Sequence, residues 1–454
     1  MVRPFGLAGP ILVLLIALPL LRPLRHPSEA QVSNEEMLRL STVQSLVEKG
    51  SLELDRGYTL TPGTVQVEGR VYSTQPPMLS LLLWPAAWLM TRAGLTFEAN
   101  HLLIAYLLTM LAAALPVAAA AGFIYKMGRL FELRRPWRAL LGIGVVTGSG
   151  LLSYAVVLNP HAPAAALIIA SAFALIHVAG MNREERRAGW FALAGACAAL
   201  ASTIEPTAVI FLILFVAVIL AMRFSFVRRL VGVFVFILGA VPVISVHAAW
   251  NAPITGDIVP ASVHAALQSR PAAPAVFSQD LLDDEPPPRQ SIWDAFGGHL
   301  LWILNAAFGR HGLLSHFPVM ILGGLGIGAV MHRHWPGYTK VLAAASGVGA
   351  ILIVLIYRFA RVDWANAMFA SQWFIIFSPI LLFWTGAWLR RNHTPLVWGV
   401  AATLLFFSVL VGLIGATGPA PREPFRSYTA TEALRRLVTP SHSDLNNALA
   451  GRAP

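Results

Sequence analysis

The chain has 454 residues, of which 56% are hydrophobic and 12% are charged, and its mean hydropathy is +0.66. A soluble domain carries about twice this share of charge, so the composition excludes a soluble enzyme, a disordered chain and a coiled coil. The net charge of +11 would indicate nucleic-acid binding in a soluble protein, but here the basic residues lie in short loops between apolar runs. The single cysteine, Cys197, excludes a disulfide framework. We expect a multi-pass membrane protein that binds no nucleic acid.

Eleven apolar runs approach or exceed the roughly 18 residues that a helix needs to cross a bilayer. They lie at about 5–22, 100–124, 139–158, 161–180, 189–204, 206–222, 229–249, 313–331, 339–357, 371–389 and 395–416. A twelfth run, 78–93, is short and interrupted by Pro85. The sequence therefore predicts an all-α polytopic protein with about 11 transmembrane helices, in a range of about 11 to 13.

The distribution of basic residues predicts the topology. If the N-terminus is cytoplasmic and 78–93 does not cross, all five cytoplasmic loops are basic, as the positive-inside rule requires. These loops are 126–138, 181–188, 223–229, 332–340 and 390–394. A crossing at 78–93 would place all five outside, so this run is predicted to be interfacial. The outward segments are then the loops 23–99 and 250–312 and a C-terminal tail, 417–454.

The first apolar run has two interpretations. Arg3 precedes it, and Ser28-Glu29-Ala30 loosely resembles a signal-peptide cleavage site. We favour an uncleaved anchor.

Ionisable groups at membrane depth are energetically costly and usually mark function. In the predicted topology, the unusual polar residues gather at the outward face. Loops also collect polar residues without any function, but these turns are otherwise very apolar. The candidates are Glu35, Glu36, Tyr72, Gln75, His161, Glu205, Arg310, His311, Arg358, Arg361 and Asp363. Their convergence predicts a polar site on the outward face.

The first outward loop contains an amphipathic helix, SNEEMLRLSTVQSLVEKG, with its apolar residues at Met37, Leu40, Val43 and Val47. Ser33 and Glu36 form a capping-box pattern, and Gly50 is a natural stop. Capping explains Glu36, whereas Glu35 has no such role. The positive end of the helix dipole keeps the Glu35 carboxylate ionised. A short hairpin is expected beyond this helix, around Pro62-Gly63 or Glu68-Gly69.

These residues resemble the GT-C superfamily of integral-membrane glycosyltransferases, in the branch of protein O-mannosyltransferases and aminoarabinose transferases. Such enzymes open a helix in the first outward loop with an acidic pair, and an aromatic-Ser-Lys-Pro-Pro-like element follows. Here Glu35-Glu36 begins the helix, and Tyr72-Ser73-Thr74-Gln75-Pro76-Pro77 stands in the place of that element. More loosely, Asn159-Pro160-His161 is similar to a short polar turn of the family. The sequence departs from the family pattern at two positions. Glu35 stands where the family usually has Asp, and Gln75 stands where the family usually has a Lys that is expected to meet a lipid phosphate.

The resemblance implies a GT-C-like transmembrane domain over 1–416 that takes a sugar from a polyprenyl-phosphate-linked donor. It also implies transfer to an acceptor on the outer face, in a bacterial inner or plasma membrane. The acceptor is not defined by the sequence. The alternatives are a transporter or flippase of a lipid-linked substrate, and a non-catalytic GT-C relative. A transporter usually shows inverted repeats and mid-membrane charges, and neither is found in this sequence.

Such a transfer needs a base for the acceptor proton, and we assign Glu35. The departing phosphate needs cations to stabilise its negative charge. Arg310, Arg358 and Arg361 are the main candidates, and Arg70 is a weaker candidate. Glu36, Tyr72, Gln75, His161 and His311 are assigned to substrate binding. No cofactor is certain. A divalent metal is possible within the family, but no residues have convincing ligand spacing, and Asp283-Asp284-Glu285 beside three prolines has the composition of a solvated loop.

Overall fold

The computed structural model describes residues 4–21, 33–55, 63–180, 188–264, 292–360, 368–391, 393–420, 425 and 427–438. The helices are α1 (Pro4–Leu20), α2 (Asn34–Lys49), α3 (Met78–Arg92), α4 (Phe97–Thr109), α5 (Leu115–Met127), α6 (Arg135–Gly148), α7 (His161–Gly180), α8 (Gly189–Ile204), α9 (Val209–Leu220), α10 (Phe226–Thr255), α11 (Ile292–Phe308), α12 (Leu313–His316), α13 (Met320–Met331), α14 (Gly337–Phe359), α15 (Ser378–Phe383), α16 (Thr385–Leu389), α17 (Pro395–Ala416) and α18 (Thr429–Val438).

Five helical segments are long and apolar enough to cross a bilayer, and a sixth span is possible if the pair Gly297–His316 and Met320–Met331, bent by 90°, counts as one. The chain is therefore a polytopic helical protein, but the predicted number of eleven spans is not confirmed. Several predicted runs form shorter helices because the backbone breaks inside them. The run at 139–158, for example, leaves the helix at Gly148, and Gly150 then adopts a φ of +79°.

A small sheet accompanies α2 in the first loop. Its strands are β1 (Glu53–Leu54), β2 (Thr64–Val67) and β3 (Arg70–Ser73), in the antiparallel order β1-β3-β2. Glu68 and Gly69 form the two-residue turn between β2 and β3, with φ values of +50° and +78°. Two positive φ values in such a turn match the right-handed twist of the strands. The predicted hairpin is confirmed at the second of its two positions.

The ends of α2 match the prediction, but its buried face differs. The Ser33 hydroxyl accepts the Glu36 backbone N–H at 3.4 Å, and Gly50 ends the helix with a φ of +65°. Of the four apolar positions that predicted the buried face, only Val43 is fully buried. The buried residues are Glu36, Leu38, Arg39, Thr42, Val43, Ser45 and Leu46. The helix is covered both by the sheet and by the apolar core, so polar side chains are enclosed with it.

The run at 78–93 forms α3, which packs against α2. Ser80 donates its hydroxyl to the Arg39 backbone carbonyl at 3.4 Å. Met78 and Leu79 lie in the same apolar cluster as Val43. The helix is not among the segments long and apolar enough to span, in keeping with the predicted interfacial position.

Segments that are distant in sequence meet through hydrogen bonds and ion pairs. The Tyr154 hydroxyl donates to the Phe369 carbonyl at 2.6 Å, and the Tyr428 hydroxyl donates to the Ser315 carbonyl at 2.6 Å. Two of the predicted basic loops are joined where Arg390 pairs with Glu132 at 2.6 Å. The sides of the membrane on which the loops lie stay a prediction.

Candidate active site

The first loop brings Glu35, Arg39 and Gln75 together. One turn along α2 from Glu35, the Arg39 Nη1 atom lies 3.5 Å from a Glu35 carboxylate oxygen and donates to the Glu35 carbonyl at 3.3 Å. Its Nη2 atom donates to the Gln75 Oε1 atom at 2.7 Å. Arg39 is only 3% exposed, whereas the Glu35 side chain retains 38% exposure. A buried cation thus orients a carboxylate that solvent or substrate can still reach.

The amphipathic pattern of α2 did not predict Arg39 as a site residue, because such a pattern implies one apolar face and one solvated face. A signal was available, because Glu35 and Arg39 stand four residues apart and side chains at this spacing meet on a helix. A small cavity beside Arg39 is lined by Gln75, Pro76, Pro77 and Ser80, among others. A cationic side chain therefore reaches Gln75 from α2.

Glu36 has a wider role than capping. It is 3% exposed, and its Oε1 atom accepts the backbone N–H of Leu158 at 3.2 Å. The carboxylate thus joins α2 to the turn that precedes α7. The prediction that capping alone explains Glu36 is wrong, because the helix start is enclosed by a distant segment.

A second polar cluster surrounds Glu205, in the turn between α8 and α9. The His161 Nδ1 atom lies 3.1 Å from the Glu205 Oε2 atom. The Oε1 atom accepts the Tyr357 hydroxyl at 3.1 Å and the Thr207 hydroxyl at 3.2 Å. His161 and Glu205 are 6% and 7% exposed. The Glu205 carboxylate therefore connects the start of α7, the end of α14 and the turn between α8 and α9.

The surroundings hold this carboxylate in its charged form. Burial raises the pKa of Glu205, but the neighbouring His161 and the hydroxyls of Tyr357 and Thr207 outweigh it and lower the pKa below its usual value. Tyr154 lies beside this cluster. The ring of Tyr154 stands edge-on to His161, with centroids 6.5 Å apart.

Three other predicted site residues lie in the sheet core or near the C-terminal helix α18 and its neighbours. Tyr72 is 7% exposed in the small core between the sheet and α3. His311 is 2% exposed, and its Nδ1 atom lies 3.0 Å from the Met368 carbonyl. Arg310 has an exposed side chain, and its carbonyl accepts the Thr429 N–H at 3.3 Å. The hydrogen bonds and the ion pair of Glu35 within the described residues involve Arg39, so the expected cavity shared with Arg310 or His311 remains a prediction.

Arg358 lies at the end of α14, one residue beyond Tyr357. Its Nε atom is buried and has no hydrogen-bond partner within the part of the chain that the structure describes. A guanidinium with a buried, unfilled donor is suited to an incoming anion. Arg361, Asp363 and Asp283-Asp284-Glu285 lie outside the described residues.

The described side chains do not form a metal-binding group. Over those ranges, no three His, Cys, Asp or Glu side chains converge. Asn159, next to His161, uses its amide nitrogen on the Tyr154 and Val157 carbonyls, and its oxygen accepts the Ala162 N–H at 2.9 Å. It caps α7 rather than offering a ligand, so we assign no step to a metal.

The helical bundle, with the loop helix α2 at one end, has a fold similar to that of solved oligosaccharyltransferase and ArnT structures. Two solved structures show the likeness. The oligosaccharyltransferase AglB from Archaeoglobus fulgidus, solved with an inhibitory peptide and a dolichol-phosphate, aligns at a TM-score of 0.52 and 12% identity over 99% of this chain. ArnT from Cupriavidus metallidurans, bound to undecaprenyl phosphate, aligns at a TM-score of 0.51 and 15% identity over 90% of this chain.

The chain spans 60% of the length of that AglB structure and 62% of the ArnT structure. No protein-family model matches the sequence, and no curated protein matches it. At these identities the similarity establishes the fold, and the activity is a separate question.

Proposed function

We propose that this protein is a membrane glycosyltransferase that takes a sugar from a polyprenyl-phosphate-linked donor and passes it to an acceptor on the outer face. The proposal rests mainly on the buried Arg39 that joins Glu35 to Gln75, at the place where the family resemblance puts the catalytic loop. The structural neighbours were solved with polyprenyl phosphates, which supports a lipid-linked donor.

In the proposed reaction, the bond between the sugar carbon and the phosphate oxygen breaks, and the phosphate leaves with the electron pair. A bond forms between the same carbon and the acceptor heteroatom, whose proton passes to Glu35. Arg39 holds the Glu35 carboxylate in place and supplies positive charge near the Gln75-Pro76-Pro77 segment. Positive charge fixed where the phosphate develops negative charge lowers the barrier. Arg310, Arg358 and Arg361 are further candidates for the phosphate.

The direct test is to incubate the purified protein with polyprenyl-phosphate sugars and to measure sugar release or transfer. A transferase produces free polyprenyl phosphate at a rate that depends on the acceptor. Movement of an intact donor across a vesicle membrane without cleavage would instead support a flippase. Neither activity, over a panel of donors, would support a non-catalytic relative.

Arg39 provides a sharper test of the site. We expect Arg39→Gln to weaken donor binding and to slow turnover by about ten- to a hundred-fold, since a hydrogen bond to a charged group contributes about 1.5–3 kcal/mol. Arg39→Lys keeps the charge but loses the two-pronged contact with Glu35 and Gln75, so it should recover only part of the rate. Kinetics on one donor measure both variants.

Arg70 is the matched control for Arg39. Its side chain is 63% exposed, and it lies 3.8 Å from Glu53. Arg70→Gln should leave the rate within about two-fold, because exposed ion pairs contribute little. Equal losses for Arg39→Gln and Arg70→Gln would contradict a specific role for Arg39.

Orientation is tested separately, in a Cys197→Ala background. We expect a cysteine at Thr96 to react with an impermeant maleimide from outside, and a cysteine at Ser225 to react only after permeabilisation. Both residues are exposed, and they lie on opposite sides in the predicted topology. The reverse labelling pattern would place the Glu35 loop in the cytoplasm.

A further inference from the structure

We propose that the protein binds an anionic phospholipid in a groove between α1 and α5, at the end of α5 that carries the basic 128–134 loop. This groove does not include the Glu35 cluster, because none of the residues described in its lining belongs to α2 or to the Gln75-Pro76-Pro77 segment. The site is therefore separate from the one proposed for the sugar donor, and it stands whether or not that function is correct.

The groove is a cavity of about 1000 Å³ with one apolar part and one cationic part. The apolar part includes Leu7 and Pro10 of α1 and Ala119, Gly122 and Phe123 of α5. α1 and α5 approach closely, since a side chain at Gly122 would lie 3.3 Å from the Pro10 ring. The apolar part of the groove suits an acyl chain, because its described residues present no polar side chain that a hydrocarbon chain would leave unsatisfied.

The cationic part contains Lys126, Arg129 and Arg138. Arg138 is 8% exposed, and its guanidinium lies 4.8 Å from the centre of the Tyr125 ring. Lys126 and Arg129 reach the groove from exposed positions. The positive-inside rule accounts for basic residues in exposed loops, but it does not require that they be buried. Burying an arginine in the wall of an apolar groove is costly, so Arg138 needs a further explanation.

Among the described residues that line the groove, Glu132 is the acidic one, and it is already paired. Arg390, which is not part of this lining, lies 2.6 Å from its carboxylate. The described lining therefore carries more positive than negative charge. A molecule with an apolar chain and an anionic phosphate at one end satisfies both parts, and the bilayer supplies such molecules at high concentration. Inorganic phosphate shares only the headgroup chemistry.

The test uses the full chain in detergent and native mass spectrometry with phosphatidylglycerol, phosphatidylcholine and inorganic phosphate as probes. We expect a retained phosphatidylglycerol that phosphatidylcholine does not displace at equal concentration. The double variant Lys126→Gln and Arg129→Gln should bind phosphatidylglycerol roughly five- to thirty-fold more weakly, since each cation near an anionic lipid contributes about a factor of five. Both positions are exposed, so the variant keeps its fold.

Two further variants distinguish a bound lipid from a soluble anion and from a general effect of surface charge. Ala119→Phe places a ring in the apolar part from an exposed position and should reduce phosphatidylglycerol binding while leaving the cations intact. Arg228→Gln removes an exposed cation on a different basic loop and should have no effect. Equal weakening by Arg228→Gln, or binding of phosphatidylcholine as tight as that of phosphatidylglycerol, would overturn the proposal. Displacement by inorganic phosphate with no effect of Ala119→Phe would show a soluble anion in place of a lipid, which would also overturn it.

Discussion

Replacing Glu35 with Gln is expected to reduce glycosyl transfer by roughly 10²–10⁴-fold, the usual contribution of a positioned base. The amide keeps the size of the side chain and still reaches Arg39, but it does not accept the acceptor's proton. Because 38% of this side chain is exposed, the substitution should leave expression and donor binding nearly unchanged. The measurement is turnover on a polyprenyl-phosphate sugar, with donor binding determined separately.

Glu48→Gln is the control, because Glu48 is an exposed carboxylate near the other end of α2 and accepts a hydrogen bond from Gln44 at 2.9 Å. It should retain full turnover. Glu36→Ala should lower stability as well as activity, because it removes the oxygen that accepts the Leu158 N–H in a buried position. Near-normal turnover in Glu35→Gln would remove Glu35 as the base, and the search would move to Glu205 and Asp363.

Removing the imidazole of His161 should produce the largest loss of stability. Among the described residues, His161→Ala leaves the buried Glu205 carboxylate with the two hydroxyl donors of Tyr357 and Thr207. Removing the partner of a buried charge costs about 3–5 kcal/mol, because the remaining charge stays desolvated. We expect a marked fall in the thermal midpoint of the purified protein, whereas His334→Ala, at an exposed position, should leave the midpoint unchanged.

Two comparisons show whether the stranded charge causes this loss. Adding Glu205→Gln to His161→Ala removes the charge and should recover much of the lost stability, while an additive loss would contradict the ion-pair argument. The pH dependence follows from the lowered pKa of Glu205. A carboxylate with a lowered folded pKa contributes its full stability above its unfolded pKa and loses it as the pH falls through the folded value. Below about pH 4.3, the midpoint of the wild type should therefore fall towards that of Glu205→Gln.

The sequence by itself determined that the chain is a polytopic helical protein. Apolar runs and basic loops are properties of composition, and the bilayer enforces them independently of how the helices pack. The limits of α2 followed from Ser33 and Gly50, because helix capping is a local interaction. The turn at Glu68-Gly69 was one of two positions named, since both pairs end in a glycine, which adopts a positive φ without steric cost.

Only the tertiary structure decided which polar side chains meet. Glu36 and Leu158 are 122 residues apart, and Glu205 and Tyr357 are 152 apart, so no local pattern links them. The face that α2 buries also depended on its neighbours, because the sheet on one side and the apolar core on the other enclose Arg39 with the helix. Periodicity assumes one buried face and one solvated face, and a helix covered on two sides breaks that assumption. Long-range contacts join Arg39 to Gln75 and Glu205 to Tyr357. The sequence patterns did not predict Arg39 as a site residue, and they gave no partner for Glu205.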